Sequence, residues 1–492
     1  MRTKSEVRGA WCVVRDALTK HATRNTQHAT GDSDFGLRTS ERASVLIIVL
    51  WIAFGLVSLA LYFADSMNFE LRASDNRVSA QAADQAIEGA ARYISYLLGT
   101  QAANGSNGFV PDPASYQREA VAVGEAHFWL IGRETNNAVG PGRVFFGLTD
   151  EAAKLNLNYA TSNHLTWLPR MTTDLTQAIL DWRDTNGTGP TVTYYAMQQP
   201  AYLCKNDPFE TVDEVRLLYG AEMDVLLGED ANRNGVLDPN ENDENQNNQL
   251  DPGVLDYFTV YTREPNTNSD GSARINITTL SRDSSRLSGL LQTNFGAARA
   301  NQILLNLGLV SAPSRPGSKQ SGSSRSGGGS TLRSPFALYS KSQMTQSEFA
   351  RIVTNLTTVT GPFLEGRVNV NTASAAVLAC LFSGDTAAAE QLVNYRQTNP
   401  GNLGTIAWVI EALGQSYSSA LQSLAQGDYI TTQSYQFTAD VAALGPHGRG
   451  YRRVKFVFDT SAGAPQLVYR QDLTHLGWAL GKEVREKWVG VL

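Results

Sequence analysis

Between Glu229 and Gly253 the chain reads EDANRNGVLDPNENDENQNNQLDPG. Asp230, Asn232, Asn234, Asp238 and Glu241 fall at positions 1, 3, 5, 9 and 12 of a twelve-residue loop, with Gly235 at position 6. Hard oxygen donors on alternate residues, a glycine for the sharp turn and a closing glutamate are what calcium requires. Val236, at position 7, would add its backbone carbonyl. A second frame runs through Asp243, Asn245, Asn247 and Asp251, but Asn248 replaces the glycine and Val254 cannot close the loop. Asp256 is the available substitute. The competing reading of both frames is a solvated acidic loop. Pro239 and Pro252 argue against flanking helices. Extracellular calcium modules bind at roughly 0.1–1 mM, so an ion here would be structural. Asp184 and Asn186 form a weaker second oxygen pair.

Other chemistry is sparse. The sequence has no GxSxG, Walker A or Gly-rich dinucleotide motif, and no CxxC or HExxH. His127, His164, His447 and His475 are isolated, and their default reading is structural or surface. Cys204 and Cys380 could pair in an oxidising compartment, but spacing alone does not decide it. Trp182, Tyr194 and Tyr195 read as packing residues. The expectation is a protein that is not an enzyme and takes no small-molecule substrate.

The elements that must position the loop begin with one apolar helix. Ser44 to Ala64 holds no charge and is bracketed by Arg42 and Asp65. Twenty-one residues span about 30 Å, the hydrocarbon thickness of a bilayer. Residues 1–43 carry eight basic and five acidic residues. The positive-inside rule then puts the N-terminus in the cytoplasm and the bulk of the chain outside. Beyond the apolar run, Ala83, Ile87, Ala90, Ala91, Ile94, Leu97 and Leu98 recur at helical spacing. This predicts one long helix, half in the membrane and half packed on an exported domain, ending near Gly99 and Asn104-Gly105.

The whole chain of 492 residues is 42% apolar and 18% charged, with net charge −6. Those figures exclude wholesale disorder and a globally basic nucleic-acid protein. Glu119–Gly124, Glu125–Gly132 and Arg143–Leu148 read as strands, with Asn136–Gly142 as turn chemistry. A repeat follows: Lys154–Ala160 (KLNLNYA) recurs as Arg367–Ala373 (RVNVNTA), and more weakly as Arg274–Leu280 (RINITTL). Each copy is a basic residue, a short alternating piece and a helical pattern, with Asn or Thr able to cap the helix. Ser311–Pro335 is a Gly/Ser linker. Ser434–Val441, Tyr451–Asp459 and Ala464–Gln471 are strand candidates, so the helical blocks look inserted between two parts of one sheet.

Taken in order, the basic leader, the apolar helix, the strand pair, TDEAAKLNLN (Thr149–Asn158), ILDWRD (Ile179–Asp184), KNDPFETVDEVRLLYG (Lys205–Gly220), RVNVNTA and the closing strands resemble the protein K family of minor pseudopilins in type II secretion. The resemblance covers roughly residues 42–475. It implies an α+β, pseudopilin-like fold: a long N-terminal helix on a small antiparallel sheet, with inserted α-helical domains of SAM-like or helix-hairpin-helix-like type. The corresponding segments are a leader (1–43), a transmembrane helix (44–64), the pseudopilin helix and first strands (65–150) and a first helical domain (151–228). The calcium tract (229–256), the degenerate repeat (257–310), the linker (311–335), a second helical repeat domain (336–430) and the closing strands (431–492) complete the chain.

The resemblance also implies a tip subunit of a periplasmic filament, partnered by I- and J-like pseudopilins. It implies cleavage by a prepilin peptidase and a calcium association. The cut would fall between Ala43 and Ser44, where the family usually has Gly before the cut. Pilin-like proteins resemble one another in a Glu at mature position five. Here that position is Ile48, a lack that protein K shares and that suits a subunit with none ahead of it. The alternative is a membrane-anchored DNA receptor, because residues 367–397 also resemble a helix-hairpin-helix module. Between Val368 and Gly414, however, Arg396 is the only basic residue, and phosphate contacts need Lys or Arg.

Overall fold

The computed structural model describes residues 41–103, 110–133, 142–310 and 332–489. Residues 1–40 of the expected leader, 136–141 of the expected turn and 311–331 of the expected linker lie outside the described residues. The chain divides after Arg72 into two compact units. Helix α1 (Glu41–Ala103) is the one described helix long and apolar enough to cross a membrane. It continues through Gly99 to Ala103, further than Gly99 alone suggests. In the first unit its residues from Val45 onward are exposed, Ile48 among them. An apolar helix surface without protein cover is what lipid accepts and water does not.

In the second unit α1 buries one face. Ala83, Ala86, Ile87, Ala90, Ile94 and Leu98 are each at most 1% exposed. They pack on Phe128, Leu130, Phe437, Val441, Phe456 and Phe458. The alanines let the helix axis approach the sheet. Ile87, Ile94 and Leu98 each contribute about 1.5–3 kcal/mol by leaving water.

The chain then forms β1 (Val121–Val123), β2 (Ala126–Ile131) and β3 (Thr149–Asp150). Arg143–Leu148 is not a strand, contrary to its alternation. The reason is topological: β2 and β3 fill successive stretches of one edge of the same partner strand, and 142–148 connects them. Phe146 makes only an isolated bridge to Ile131.

The insert contains β4 (Leu155–Asn156), β5 (Phe258–Thr259), β6 (Arg263–Pro265), β7 (Ile275–Asn276), β8 (Leu356–Thr357), β9 (Phe363–Glu365), β10 (Val368–Asn369) and β11 (Ile430–Thr431). Its helices are α2 (Ser162–Thr166), α3 (Thr173–Arg183), α4 (Met223–Leu227), α5 (Ser285–Asn306), α6 (Pro335–Ser342), α7 (Gln346–Ile352), α8 (Ala375–Leu381), α9 (Thr386–Thr398), α10 (Trp408–Leu413) and α11 (Ser418–Leu424). The expected linker end at Pro335 is already structured: Ser334 caps α6.

Each copy of the repeat opens a parallel ladder, β4 on β5, β7 on β8 and β10 on β11. The first Asn of each copy, Asn156, Asn276 and Asn369, accepts the N–H two residues on, at 2.9 Å each; for Asn276 this caps the 3-10 helix Ile277–Thr279, and for the other two it closes a turn. Thr161 and Ser374 are the caps of α2 and α8. The basic residue of each copy pairs with a carboxylate: Lys154 with Glu151, and both Arg274 and Arg367 with Glu264.

The closing strands are β12 (Gln436–Leu444), β13 (Arg452–Asp459) and β14 (Gln466–Asp472), followed by α12 (Gly481–Trp488). The sheet order is β1-β2-β12-β13-β14, antiparallel, with β3 beside β12. The fold is therefore α+β, with a helical insert between β3 and β12.

Candidate metal-binding loop

The first loop follows the short helix α4 and is largely enclosed. Asp230 is 3% exposed, Asn232 6% and Asn234 1%. Asp230 accepts the N–H groups of Asn234 (2.9 Å) and Gly235 (2.8 Å), which turns the chain sharply at position 6. Gly235 has φ +83°, a conformation that side chains with a Cβ resist. Asn232 Nδ2 and Asn234 Nδ2 both reach the same oxygen, Asp238 Oδ2, at 2.6 and 2.9 Å. Glu241 folds back on the loop and accepts from the N–H groups of Asn232 (3.2 Å) and Asp238 (2.9 Å). Val236 N–H donates to Asn234 Oδ1.

These side chains are hard oxygen donors of the kind calcium takes. Asn232 and Asn234 turn toward Asp238, and Asn232 Oδ1 is buried without a hydrogen-bond partner. Burial raises the pKa of Asp230, against the pull of the nearby Arg133 guanidinium. Burial likewise raises that of Glu241, against two backbone N–H groups. A cation would satisfy both. Two of the five side-chain donors are amides, and among the described residues no three His, Cys, Asp or Glu come together to hold a metal, so the carboxylates of Asp230, Asp238 and Glu241 do not converge on one point in this structure. Asp230, Asn232, Asn234, Asp238 and Glu241 would hold the ion, with the Val236 carbonyl.

The second frame has the same turn but little enclosure. Asp243 accepts from the N–H groups of Asn247 and Asn248, Asn245 Oδ1 accepts from Asn247 N–H, and Asn245 donates to Asp251. Asp256 does not close this loop. It pairs with Arg133 at 2.7 Å, which is why its carboxylate stays below the usual range in spite of burial. The Asp184 carboxylate accepts from Asn186 N–H and Nδ2, which closes a local turn.

Three supports could not be read from spacing. Buried Glu229 accepts from Glu244 N–H (2.8 Å) and Asp251 N–H (2.9 Å), stitching the two frames together. Fully buried Arg453 on β13 pairs with Asp440 (2.6 Å) and donates to the carbonyls of Asn232 and Arg233. Arg133 donates to the Arg233 carbonyl from the other side, at 3.0 Å. Asn232 and Asn234 also donate to the carbonyls of Trp478 and Ala479, ahead of α12. The one available signal was Arg453 itself, a charge in phase with the covered face of a strand.

The remaining candidates settle as packing. Trp182 and Tyr195 are buried in the insert core. His164 is buried, which pulls its pKa down to about 4, and it lies edge-on to Tyr429. Cys204 and Cys380 are buried and unpaired. The hairpin that resembles a DNA-binding module is closed over: a Cβ at Gly384 would sit 2.4 Å from the Trp167 ring. Arg396 is buried and donates to the carbonyls of Val370 (3.0 Å) and Ala373 (2.7 Å). It is a clamp on the repeat, as Arg183 is on the carbonyls of Leu157 and Ala160.

Among protein families, residues 368–426 match the model of type II secretion system (T2SS) protein K. The matched stretch contains β10, the hairpin and α8 to α11, and is what this chain has in common with protein K. A chain of the GspK-GspI-GspJ complex from the type 2 secretion system of enterotoxigenic Escherichia coli is similar at 9% identity and a TM-score of 0.39. That likeness covers 80% of this chain and 97% of that one. No curated protein matches the sequence.

Proposed function

We propose that this chain is a minor pseudopilin at the tip of a type II secretion pseudopilus, a structural subunit that supports export rather than an enzyme. The observation that carries the reading is the protein K segment at residues 368–426, in a chain whose α1 holds a membrane-length apolar run. The chain is anchored in the inner membrane by residues 44–64, with its N-terminus cytoplasmic and its C-terminal bulk periplasmic. Prepilin peptidase cuts between Ala43 and Ser44. Both residues lie within α1, and Ile48 becomes position five of the mature helix. A subunit with an apolar residue there offers no carboxylate to a neighbour ahead, which supports the end of a filament over its middle. The helical insert between β3 and β12 supports the same place, since a head enlarged in this way would obstruct lateral packing.

The partners are I- and J-like pseudopilins. Calcium in the first loop serves structure, holding a tract of carboxylates that otherwise repel one another. The test is co-expression of the full chain with the I- and J-like subunits of the same system, followed by native mass spectrometry and gold labelling of filaments. A ternary complex, with label at filament ends, is expected. Absence of a complex, or label along the filament length, would overturn the tip assignment.

A further inference from the structure

The sheet face turned away from α1 is apolar around Trp129, Ile131, Ala442 and Leu444 and polar beside them. Thr438 and Asp440 on β12 and Arg453 and Lys455 on β13 alternate with the residues that pack on α1. The insert lies against this face through the Arg453 contacts to the loop and through Asp213, which accepts from Tyr469 and Gln471 of β14. Between them lies a cavity of about 30 Å³. Its charged lining is Arg133, Lys154, Arg233, Lys455, Asp256 and Asp440.

These charges do not balance. Arg133 is held by Asp256 and Lys154 by Glu151, while Asp440 is taken by Arg453. Asp213, which faces Arg233 from the insert, is engaged by Arg216 and Gln471. Asp230, which faces Arg133, accepts from the N–H groups of its own loop. The half-buried Lys455 ammonium and the Arg233 guanidinium then have no hydrogen-bond or ion-pair partner among the described residues. Two like charges at one partly open cavity cost free energy unless an opposite charge joins them. Burial, and then the nearby Lys154, pull the Lys455 pKa down to about 8, with Glu151 opposing.

We propose that this cavity binds a small inorganic anion, a halide or a tetrahedral oxyanion, between the Lys455 ammonium and the Arg233 guanidinium. A water needs about 10–15 Å³ of such space, so the cavity takes one small ion and excludes a sugar acid. Because Arg233 belongs to the first loop and Lys455 to β13, the anion pins the insert onto the sheet. It does so at a point separate from the calcium ligands.

The test uses the full chain in non-ionic detergent at constant ionic strength, with gluconate replaced stepwise by chloride or by phosphate. Each series is run in EDTA and in excess calcium, so that failure here is distinguishable from failure of the calcium reading. The melting midpoint is expected to rise with the logarithm of anion concentration above Kd, by about 3 °C at a hundredfold excess over Kd for a chain of this length. A rise with chloride alone defines a halide site, and a rise that begins at lower phosphate concentration defines an oxyanion site. Lys455→Met should abolish the rise, and Lys482→Met, on an exposed lysine, should keep it. Should Lys455→Met not fold, Arg233→Gln makes the same test. No rise with either anion, an equal rise when gluconate alone is raised, or a rise retained in Lys455→Met would overturn the site.

Discussion

Replacing Arg453 with Met isolates the contact that joins the sheet to the metal loop. Methionine keeps the apolar stem but leaves the Asp440 carboxylate buried without its cation. Breaking one side of a buried pair costs about 3–5 kcal/mol. The carbonyl of Asn232 also loses its guanidinium donor, a further penalty of about 1–3 kcal/mol, whereas the Arg233 carbonyl keeps Arg133. The expected loss is about 5 kcal/mol, read from urea unfolding of the full chain in detergent by tryptophan fluorescence. Adding Asp440→Leu removes the stranded charge and should recover all but about 1–3 kcal/mol. Because the same guanidinium holds positions 3 and 4 of the loop, Arg453→Met should also weaken calcium binding. A single variant within about 1 kcal/mol of wild type, or a double variant no more stable than the single, would refute this reasoning.

Other outcomes follow from particular side chains. Burial raises the Asp150 pKa to about 6, although Ser434, Thr372, Asn369 and Ala152 N–H all donate to it. The unfolded value is about 3.9, so the stabilising protonation is complete below about pH 4 and is lost as pH rises through 6. The stability of wild type relative to Asp150→Asn should fall by about 2 kcal/mol between pH 4 and 7, and a flat difference would contradict it. Gly384→Val forces a Cβ into the Trp167 ring at φ +89° and should cost at least about 2 kcal/mol in the same unfolding assay. EDTA should lower the melting midpoint and calcium restore it at roughly 0.1–1 mM. Glu241→Gln should raise the required calcium more than tenfold, whereas Asp251→Asn, in the exposed frame, should change it less than threefold; equal effects would place the ion elsewhere.

What could be read in the sequence is what repeats over several residues. The helical spacing from Ala83 to Leu98 marks the face of α1 that meets the sheet. The alternation in Tyr451–Asp459 is β13 to within a residue. The three repeat copies do share one local structure, each with its ladder and turn. Position-by-position loop spacing located the enclosed carboxylates and amides of the first frame. What escaped reading depends on partners far along the chain. Asp256 looks free in sequence, yet its partner Arg133 lies 123 residues earlier. Arg143–Leu148 alternates like a strand, but β2 and β3 already occupy the edge of β12. The Asn residues of the repeat do have capping chemistry: Asn276 caps the short 3-10 helix Ile277–Thr279, whereas Asn156 and Asn369 hold turns well ahead of α2 and α8. Arg396 reads as the lone candidate for a phosphate, and only the packed structure shows it turned inward onto carbonyls.

The central claim, a processed pseudopilin, is tested most directly by intact mass and N-terminal sequencing of the protein purified from membranes, with and without prepilin peptidase. The account predicts a mature chain beginning at Ser44 only when the peptidase is present. A chain that begins at Met1 in both preparations would contradict it.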